Sequence, residues 1–205
     1  MGFILLITMS EKKWKIGVFG SGSNTDDSDA VFLLAESVGK ELSTHNCVVI
    51  TGACSGLPYK AARAARDCGG EVWGFAPGKD YESFVASEPV GPHTDKSLYS
   101  RLIYMPKDFE FIDNAEVYRK YRNVTSTAAS DAAIIISGKW GTLNEFTNLV
   151  DFGKVIGVLT ETGGIADEIP RLWDKIKKRT VTAKVIFNPD PIQLVKLVID
   201  ELEKV

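Results

Sequence analysis

Three short segments of this 205-residue chain combine glycine with small polar residues in a way that suits an anion. They read Gly20-Ser-Gly-Ser-Asn24, Thr51-Gly-Ala-Cys-Ser-Gly56 and Ser137-Gly-Lys-Trp-Gly-Thr142, and each follows a short apolar run. Glycine lets backbone N–H groups approach a phosphate closely, and the N-terminus of a following helix adds partial positive charge. Together the segments predict a phosphate or nucleotide site with candidate residues Gly20, Ser21, Gly22, Gly52, Ser55, Gly56, Gly138, Lys139, Gly141 and Thr142.

Two common nucleotide-binding glycine motifs are absent from these segments. The dinucleotide fingerprint needs a third glycine where Thr25 stands, and it needs an acidic residue where the second strand ends in Thr51-Gly52-Ala53. A P-loop needs Ser or Thr after Gly-Lys, but Trp140 follows Lys139. The sequence therefore argues against an NAD site and against a P-loop.

Glu145 is a carboxylate three residues beyond the last of these segments, and its role has two interpretations. In the first, Thr142 is the N-cap and Glu145 the third residue of a helix, a capping box worth roughly 1 kcal/mol. In the second, Glu145 faces the anion site and takes part in chemistry. Lys139 either adds a cation to the site or obstructs it, and Trp140 is expected to pack rather than to line the site.

Composition limits the partners and cofactors. The chain has 24 Lys and Arg against 27 Asp and Glu, so we expect no nucleic acid polymer as a partner. Its three cysteines form no C-x-x-C pair and it has two histidines, so we expect no metal or other cofactor and a cytoplasmic location. Residues 1–8 are apolar but too few to span a bilayer, so no membrane partner is expected. Residues 1–13 are predicted to be an extension of a single domain, 14–205.

Short apolar runs alternate with amphipathic stretches along the whole chain. The run at residues 132–136 is continuously apolar, which is typical of a parallel strand buried on both faces. The alternation predicts the α/β class, with a single doubly wound Rossmann-like domain whose mostly parallel sheet of about seven strands carries helices on both faces. The predicted strands are Lys15–Gly20, Cys47–Gly52, Glu71–Ala76, Ser100–Met105, Ala132–Ser137, Lys154–Leu159 and Ala183–Phe187.

Capping signals and periodicity predict helices between these strands. An apolar stripe runs from Val31 to Leu42, and the alanine-rich segment Ala61–Cys68 precedes a Gly-Gly stop. Asp190-Pro191 supplies the N-cap and the first residue of a final helix. The stretch from Pro77 to Lys96 has three prolines and is predicted to be one long loop, either a lid or binding loop or a disordered segment.

The segment around Glu145 resembles the signature of a known family. Asp131-Ala, the apolar strand and then Gly138-x-x-Gly141-Thr142-x-x-Glu145 are similar to the PGGxGTxxE pattern of the LOG (LONELY GUY) family, whose members were once labelled "possible lysine decarboxylases". Arg122 lies nine residues before Asp131, where the family has an arginine. Further matches at 20–23, 51–57 and 69–75 extend the resemblance over residues 14–160.

Two departures separate this chain from the well-studied members. Ser137-Gly138-Lys139 stands where the family has Pro-Gly-Gly, and Arg122-Asn123 stands where the hydrolases have Arg-Lys. The Arg-Asn form looks like a less characterised branch that includes proteins similar to the molybdenum-cofactor carrier. The resemblance therefore carries over the fold and the ligand class better than the reaction.

The resemblance implies hydrolysis of the N-glycosidic bond of a nucleoside 5′-monophosphate, giving free base and ribose 5-phosphate. The glycine loop would hold the phosphate, Arg122 the ribose or phosphate oxygens, and Glu145 would meet an oxocarbenium-like transition state. A homodimer is also implied, with Phe146 and Leu149 either in its interface or in the core. The alternative is a non-catalytic carrier of a nucleotide or of the pterin molybdenum cofactor. No lysine is marked as a pyridoxal site, so the decarboxylase label has no support.

Overall fold

The computed structural model describes residues 13–22, 27–87, 91–176 and 180–204, so the predicted extension lies outside these ranges except for Lys13. Strands and helices alternate along the described chain, and two 3₁₀ turns at Pro92–Thr94 and Lys96–Leu98 precede β4. The order is β1 (Lys15–Gly20), α1 (Asp29–Thr44), β2 (Val48–Thr51), α2 (Leu57–Asp67), β3 (Glu71–Phe75), α3 (Tyr81–Ser87), β4 (Arg101–Ile103), α4 (Ala115–Ala129), β5 (Ala132–Ile136), α5 (Trp140–Asp151), β6 (Val155–Leu159), α6 (Gly164–Ile176), β7 (Lys184–Asn188) and α7 (Pro191–Leu202).

Within the described residues the strands form one seven-stranded sheet in the order β4-β3-β2-β1-β5-β6-β7. Every neighbouring pair is parallel, and Ile16 of β1 lies opposite Val49 of β2 and Ala132 of β5. The chain builds outwards from β1 to β4 and then returns to place β5 on the other side of β1. This switch in direction beside β1 is where open α/β sheets bind ligands, and it confirms the predicted fold class.

Alternate residues of the central strands face two separate cores. Ile134 and Ile136 pack with residues of α1, α2 and α7, whereas Ala133 and Ile135 pack with residues of α5 and α6. Burial on both faces explains why β5 is continuously apolar. Phe146 and Leu149 lie in the second core at 1% and 0% exposure, so the interpretation that places them in a dimer interface is wrong.

Capping side chains explain where two helices, α7 and α3, begin. The Asp190 carboxylate accepts hydrogen bonds from the amides of Ile192 and Gln193, which confirms the predicted start of α7. The prediction of one long loop from Pro77 to Lys96 is wrong, because α3 lies inside it. Asp80 accepts from the Ser83 amide at 2.9 Å, and Phe84 is fully buried.

Candidate functional site

The carboxyl ends of β1, β2 and β5 surround a cavity of about 310 Å³ that α4 and α5 also line. Parallel strands end at the same edge, so the three glycine-rich segments converge there as predicted. Nine of the twelve predicted site residues line the cavity: Gly20, Ser21, Gly22, Gly52, Arg122, Lys139, Gly141, Thr142 and Glu145.

The other three predicted residues, Ser55, Gly56 and Gly138, do not line the cavity. The Ser55 hydroxyl donates to the carbonyl of Gly22 at 2.5 Å, and Gly56 precedes α2 at φ +75°. The Gly138 amide donates to the Ser21 hydroxyl at 3.2 Å. These residues fix the turns that carry the lining residues.

The turn after β5 departs from the family pattern in its backbone as well as its sequence. Ser137 lies at φ +50°, a conformation that proline, fixed near −65°, does not adopt. Its amide donates to the Thr162 hydroxyl at 2.9 Å, and its own hydroxyl donates to Asp27 at 2.7 Å. The carbonyl of Gly138 accepts from the Ile165 amide at 2.8 Å. The turn is therefore held in place before any ligand binds.

Helix α5 begins earlier than the capping-box interpretation requires, and that interpretation is wrong. The helix starts at Trp140 with Lys139 as N-cap, so Thr142 is its third residue and Glu145 its sixth. The first amides of a helix have no partner inside the helix, and two of the residues that carry them, Gly141 and Thr142, line the cavity. Trp140 is 82% exposed and does not line the cavity, so the expectation that it packs is also wrong.

Glu145 is a buried carboxylic acid at the cavity wall, only 7% exposed. Burial raises its pKa to about 7 because the charged form loses hydration, while the charges of Arg122 and Lys120 oppose the rise. An acid with a pKa near neutrality exchanges protons readily at physiological pH. Perturbed pKa values of this kind are typical of functional sites.

Arg122 extends from α4 across the end of β2. Its Nη1 donates to the carbonyl of Gly52 at 3.0 Å and its Nη2 to Oδ1 of Asn123 at 3.2 Å. A Cβ at Gly52 would lie 3.1 Å from the guanidinium carbon, so glycine permits this close approach. Nε of Arg122 is buried and has no hydrogen-bond partner among the described residues.

Sequence reasoning missed several residues that shape the cavity. Asn123 is 3% exposed and joins Arg122 to Oδ1 of Asn144 through its own amide nitrogen, at 3.1 Å. Arg119 and Cys54 also line the wall. Asn123 follows Arg122 and Asn144 precedes Glu145. The only sequence signal for these two asparagines was that each is adjacent to a residue of the motif.

The donor groups of the cavity suit an anion. Arg119, Arg122 and Lys139 give three cationic side chains against one carboxylate, Glu145, among the residues that line it. In the described part of the chain no cluster of His, Cys, Asp and Glu could hold a metal ion. None of the helices described is long and apolar enough to cross a membrane.

A parallel doubly wound sheet with a cation-lined cavity at its switch point defines a Rossmann-like protein. A sequence profile of the SLOG cluster4 family matches residues 13–191, and the chain therefore belongs to that family. The predicted LOG-like relationship is confirmed. A sequence search against curated proteins finds no match.

Solved structures with this fold include proteins of different descriptions. TM1055 aligns with a TM-score of 0.71 at 18% identity, over 94% of this chain and 99% of its own. The molybdenum cofactor carrier protein of Chlamydomonas reinhardtii aligns at 0.67 and 19% identity, over 95% and 100%. DNA processing protein A of Helicobacter pylori, described for its single-stranded DNA binding mode, aligns at 0.65 and 15%, over 92% and 81%. At these identities the likeness establishes the fold alone.

Proposed function

We propose that this chain binds a nucleoside 5′-monophosphate and hydrolyses its N-glycosidic bond, releasing the free base and ribose 5-phosphate. The observation that carries the proposal is Glu145, a buried acid with a pKa of about 7 at the wall of a cation-lined cavity. As a carboxylate it would accept a proton from the attacking water and offset positive charge developing on the sugar. This chain has Asn123 where the family has lysine and an altered turn at Ser137, but it keeps both Glu145 and the cationic side chains of the cavity.

The phosphate would bind at the start of α5. The amides of Gly141 and Thr142 provide donors, the helix dipole favours negative charge, and Lys139 adds a cation at the same end. Arg122 would then reach the ribose or phosphate oxygens, because it lines the same cavity with its guanidinium held beside Gly52 at the end of β2. The sugar would then lie inside the cavity whose wall includes Glu145.

Thermal shift and base release test the proposal together. AMP at about 100 times its dissociation constant should add roughly 2.7 kcal/mol to the free energy of unfolding by linkage, and adenosine, which lacks the phosphate, should add much less. Incubation with a panel of nucleoside monophosphates should release free base, which chromatography measures. A melting temperature that does not respond to millimolar AMP or phosphate would contradict the phosphate site.

The second candidate is a carrier that holds a nucleotide or the pterin molybdenum cofactor without turnover. It is favoured by the positive φ of Ser137, by Lys139 in place of glycine and by Asn123 in place of the family's lysine. The alignment with the Chlamydomonas carrier is consistent with it. Binding of AMP without release of base from any monophosphate would select this candidate.

Two expectations from the sequence stay predictions. We expect no nucleic acid polymer as a partner, and we expect a cytoplasmic location.

We also propose that the chain forms a homodimer through α4 and the start of α5. Val124 on α4 is 41% exposed and Trp140 at the start of α5 is 82% exposed, and both are apolar. Burying them against a second copy would remove apolar surface from water next to the cavity. Light scattering at micromolar concentration should give about twice 22.4 kDa, and a mass equal to that of one chain would refute the dimer.

A further inference from the structure

Three side chains beside the turn after β5 form a connected series of polar oxygens that ends at the cavity. The Ser137 hydroxyl donates to Oδ1 of Asp27 at 2.7 Å, and its oxygen lies 3.4 Å from the hydroxyl oxygen of Ser21. Ser21 is 8% exposed and lines the cavity, whereas Asp27 and Ser137 do not. The LOG pattern has proline where Ser137 stands, and proline has no hydroxyl to make this connection. Neither Asp27 nor Ser137 has a role in the proposed reaction.

The carboxylate at one end gives the hydrogen bonds of this series a direction. A carboxylate accepts hydrogen bonds and donates none, so the single hydrogen of the Ser137 hydroxyl is used at Asp27. Oδ2 of Asp27 is buried and has no partner in the part of the chain that the structure describes, which makes the bond from Ser137 costly to lose. The Ser137 oxygen is left to accept, and the hydrogen of the Ser21 hydroxyl is directed towards it.

This direction decides what Ser21 can offer to a ligand. A serine hydroxyl has one hydrogen and two lone pairs. The hydrogen of Ser21 faces Ser137, and one lone pair accepts from the Gly138 amide at 3.2 Å. The second lone pair remains, so Ser21 presents an acceptor to the cavity. The oxygens of an ionised phosphate are acceptors too, so Ser21 does not suit the phosphate group itself.

We propose that Ser21 accepts a hydrogen bond from a hydroxyl of the ligand's sugar, and that Asp27, acting through Ser137, is the positioning residue that makes Ser21 an acceptor. This inference rests on the proposed nucleotide site and names the part of the ligand that the end of β1 recognises. The donors at the start of α5 and the cationic side chains are left for the phosphate. The cavity therefore distinguishes a sugar hydroxyl from a group of the same size that cannot donate.

Ser137→Gly removes the acceptor of the Ser21 hydrogen and keeps the turn. Ser137 lies at φ +50°, a conformation that glycine adopts without steric cost. In this variant the Ser21 hydrogen is free to turn towards the cavity, so Ser21 can donate as well as accept. Ser97→Gly is the matched control, because the Ser97 hydroxyl also donates to an aspartate, Asp95, at 2.8 Å, and Ser97 does not line the cavity.

The experiment measures dissociation constants by calorimetry for AMP and for two analogues with fluorine in place of the 2′- or the 3′-hydroxyl. Fluorine is close to a hydroxyl in size but donates no hydrogen bond. Each protein also carries Glu145→Gln, so that no base is released during the titration. With Ser137 in place, AMP should bind roughly 2- to 10-fold more tightly than one of the analogues, the range for one hydrogen bond, and that analogue identifies the hydroxyl. Ser137→Gly should lower this ratio towards one, and Ser97→Gly should leave it unchanged.

Two results would overturn the inference and leave the proposed function standing. In one, both analogues bind as tightly as AMP. In the other, Ser137→Gly weakens all three ligands equally or not at all, so that the ratio is unchanged and the role of Ser137 is structural. Absence of AMP binding with Ser137 in place would instead refute the proposed function together with this inference. Should Ser137→Gly not fold, Ser21→Ala removes the acceptor itself, and an unchanged ratio in that variant would be equally decisive against the inference.

Discussion

Glu145→Gln is expected to lower base release from a nucleoside monophosphate by roughly 10² to 10⁴, the usual loss when a general base is removed. Gln has the same shape but neither accepts the proton of the attacking water nor carries the negative charge that would stabilise a cationic sugar. Because Glu145 is the sixth residue of α5, not part of a cap, its replacement leaves the start of the helix intact. AMP affinity should therefore not fall below that of the parent.

The same measurements on Asp151→Asn provide the control. Asp151 is the last residue of the same helix and is exposed, so loss of its charge should change neither turnover nor AMP affinity. Base release, AMP affinity and melting temperature are compared for the three proteins. An unimpaired rate in the Gln variant would remove Glu145 from the chemistry and leave its burial without a catalytic role.

The fold could be predicted because the signals that define it are local. Strands buried on both faces, such as Ala132–Ile136, show as continuous apolar runs, and a helix start such as Asp190-Pro191 shows in two adjacent residues. The segment containing α3 was missed since three prolines outweighed a weaker signal. That signal was Asp80 as a cap, with apolar Tyr81, Phe84 and Val85 one turn apart.

The candidate site was predictable only as far as the strand ends. Glycine-rich segments after parallel strands must converge, so the cavity was foreseen, but the contacts that shape it join residues distant in sequence. Asp27 binds Ser137 across 110 positions, and Arg122 binds Gly52 across 70. The Thr-x-x-Glu pattern suggested a cap at Thr142, yet the positive φ of Ser137 and Gly138 turns the chain so that α5 starts at Trp140.

The raised pKa of Glu145 is compatible with either candidate function. In the hydrolase, a pKa of about 7 keeps a substantial carboxylate fraction at neutral pH while the proton remains easy to accept. In a carrier, the protonated form would reduce repulsion between Glu145 and a bound phosphate. Arg122 and Lys120 lower the same pKa, so removing either cation would shift Glu145 towards its neutral form.

Burial of Glu145 also makes the stability of the folded chain depend on pH in a defined direction. Its pKa rises from 4.5 to about 7 on folding, so between these values the folded chain retains a proton that the unfolded chain has released. The favourable contribution of protonation is complete below about pH 4.5, decreases as the pH rises and is lost above about pH 7. The shift corresponds to roughly 3 kcal/mol, since each pKa unit is about 1.4 kcal/mol.

Glu145→Gln should remove this dependence, because Gln stays neutral at every pH. We expect the two proteins to have similar free energies of unfolding near pH 4.5 and the variant to be more stable by up to roughly 3 kcal/mol near pH 8. Urea unfolding at several pH values between these limits measures the difference in free energy of unfolding between the two proteins. The other titrating groups are the same in both proteins, so their contributions cancel in this difference. Asp151→Asn should follow the parent curve. Parallel curves for the parent and Glu145→Gln would mean that Glu145 ionises normally in the folded chain, and that its charge is solvated or paired at the cavity wall.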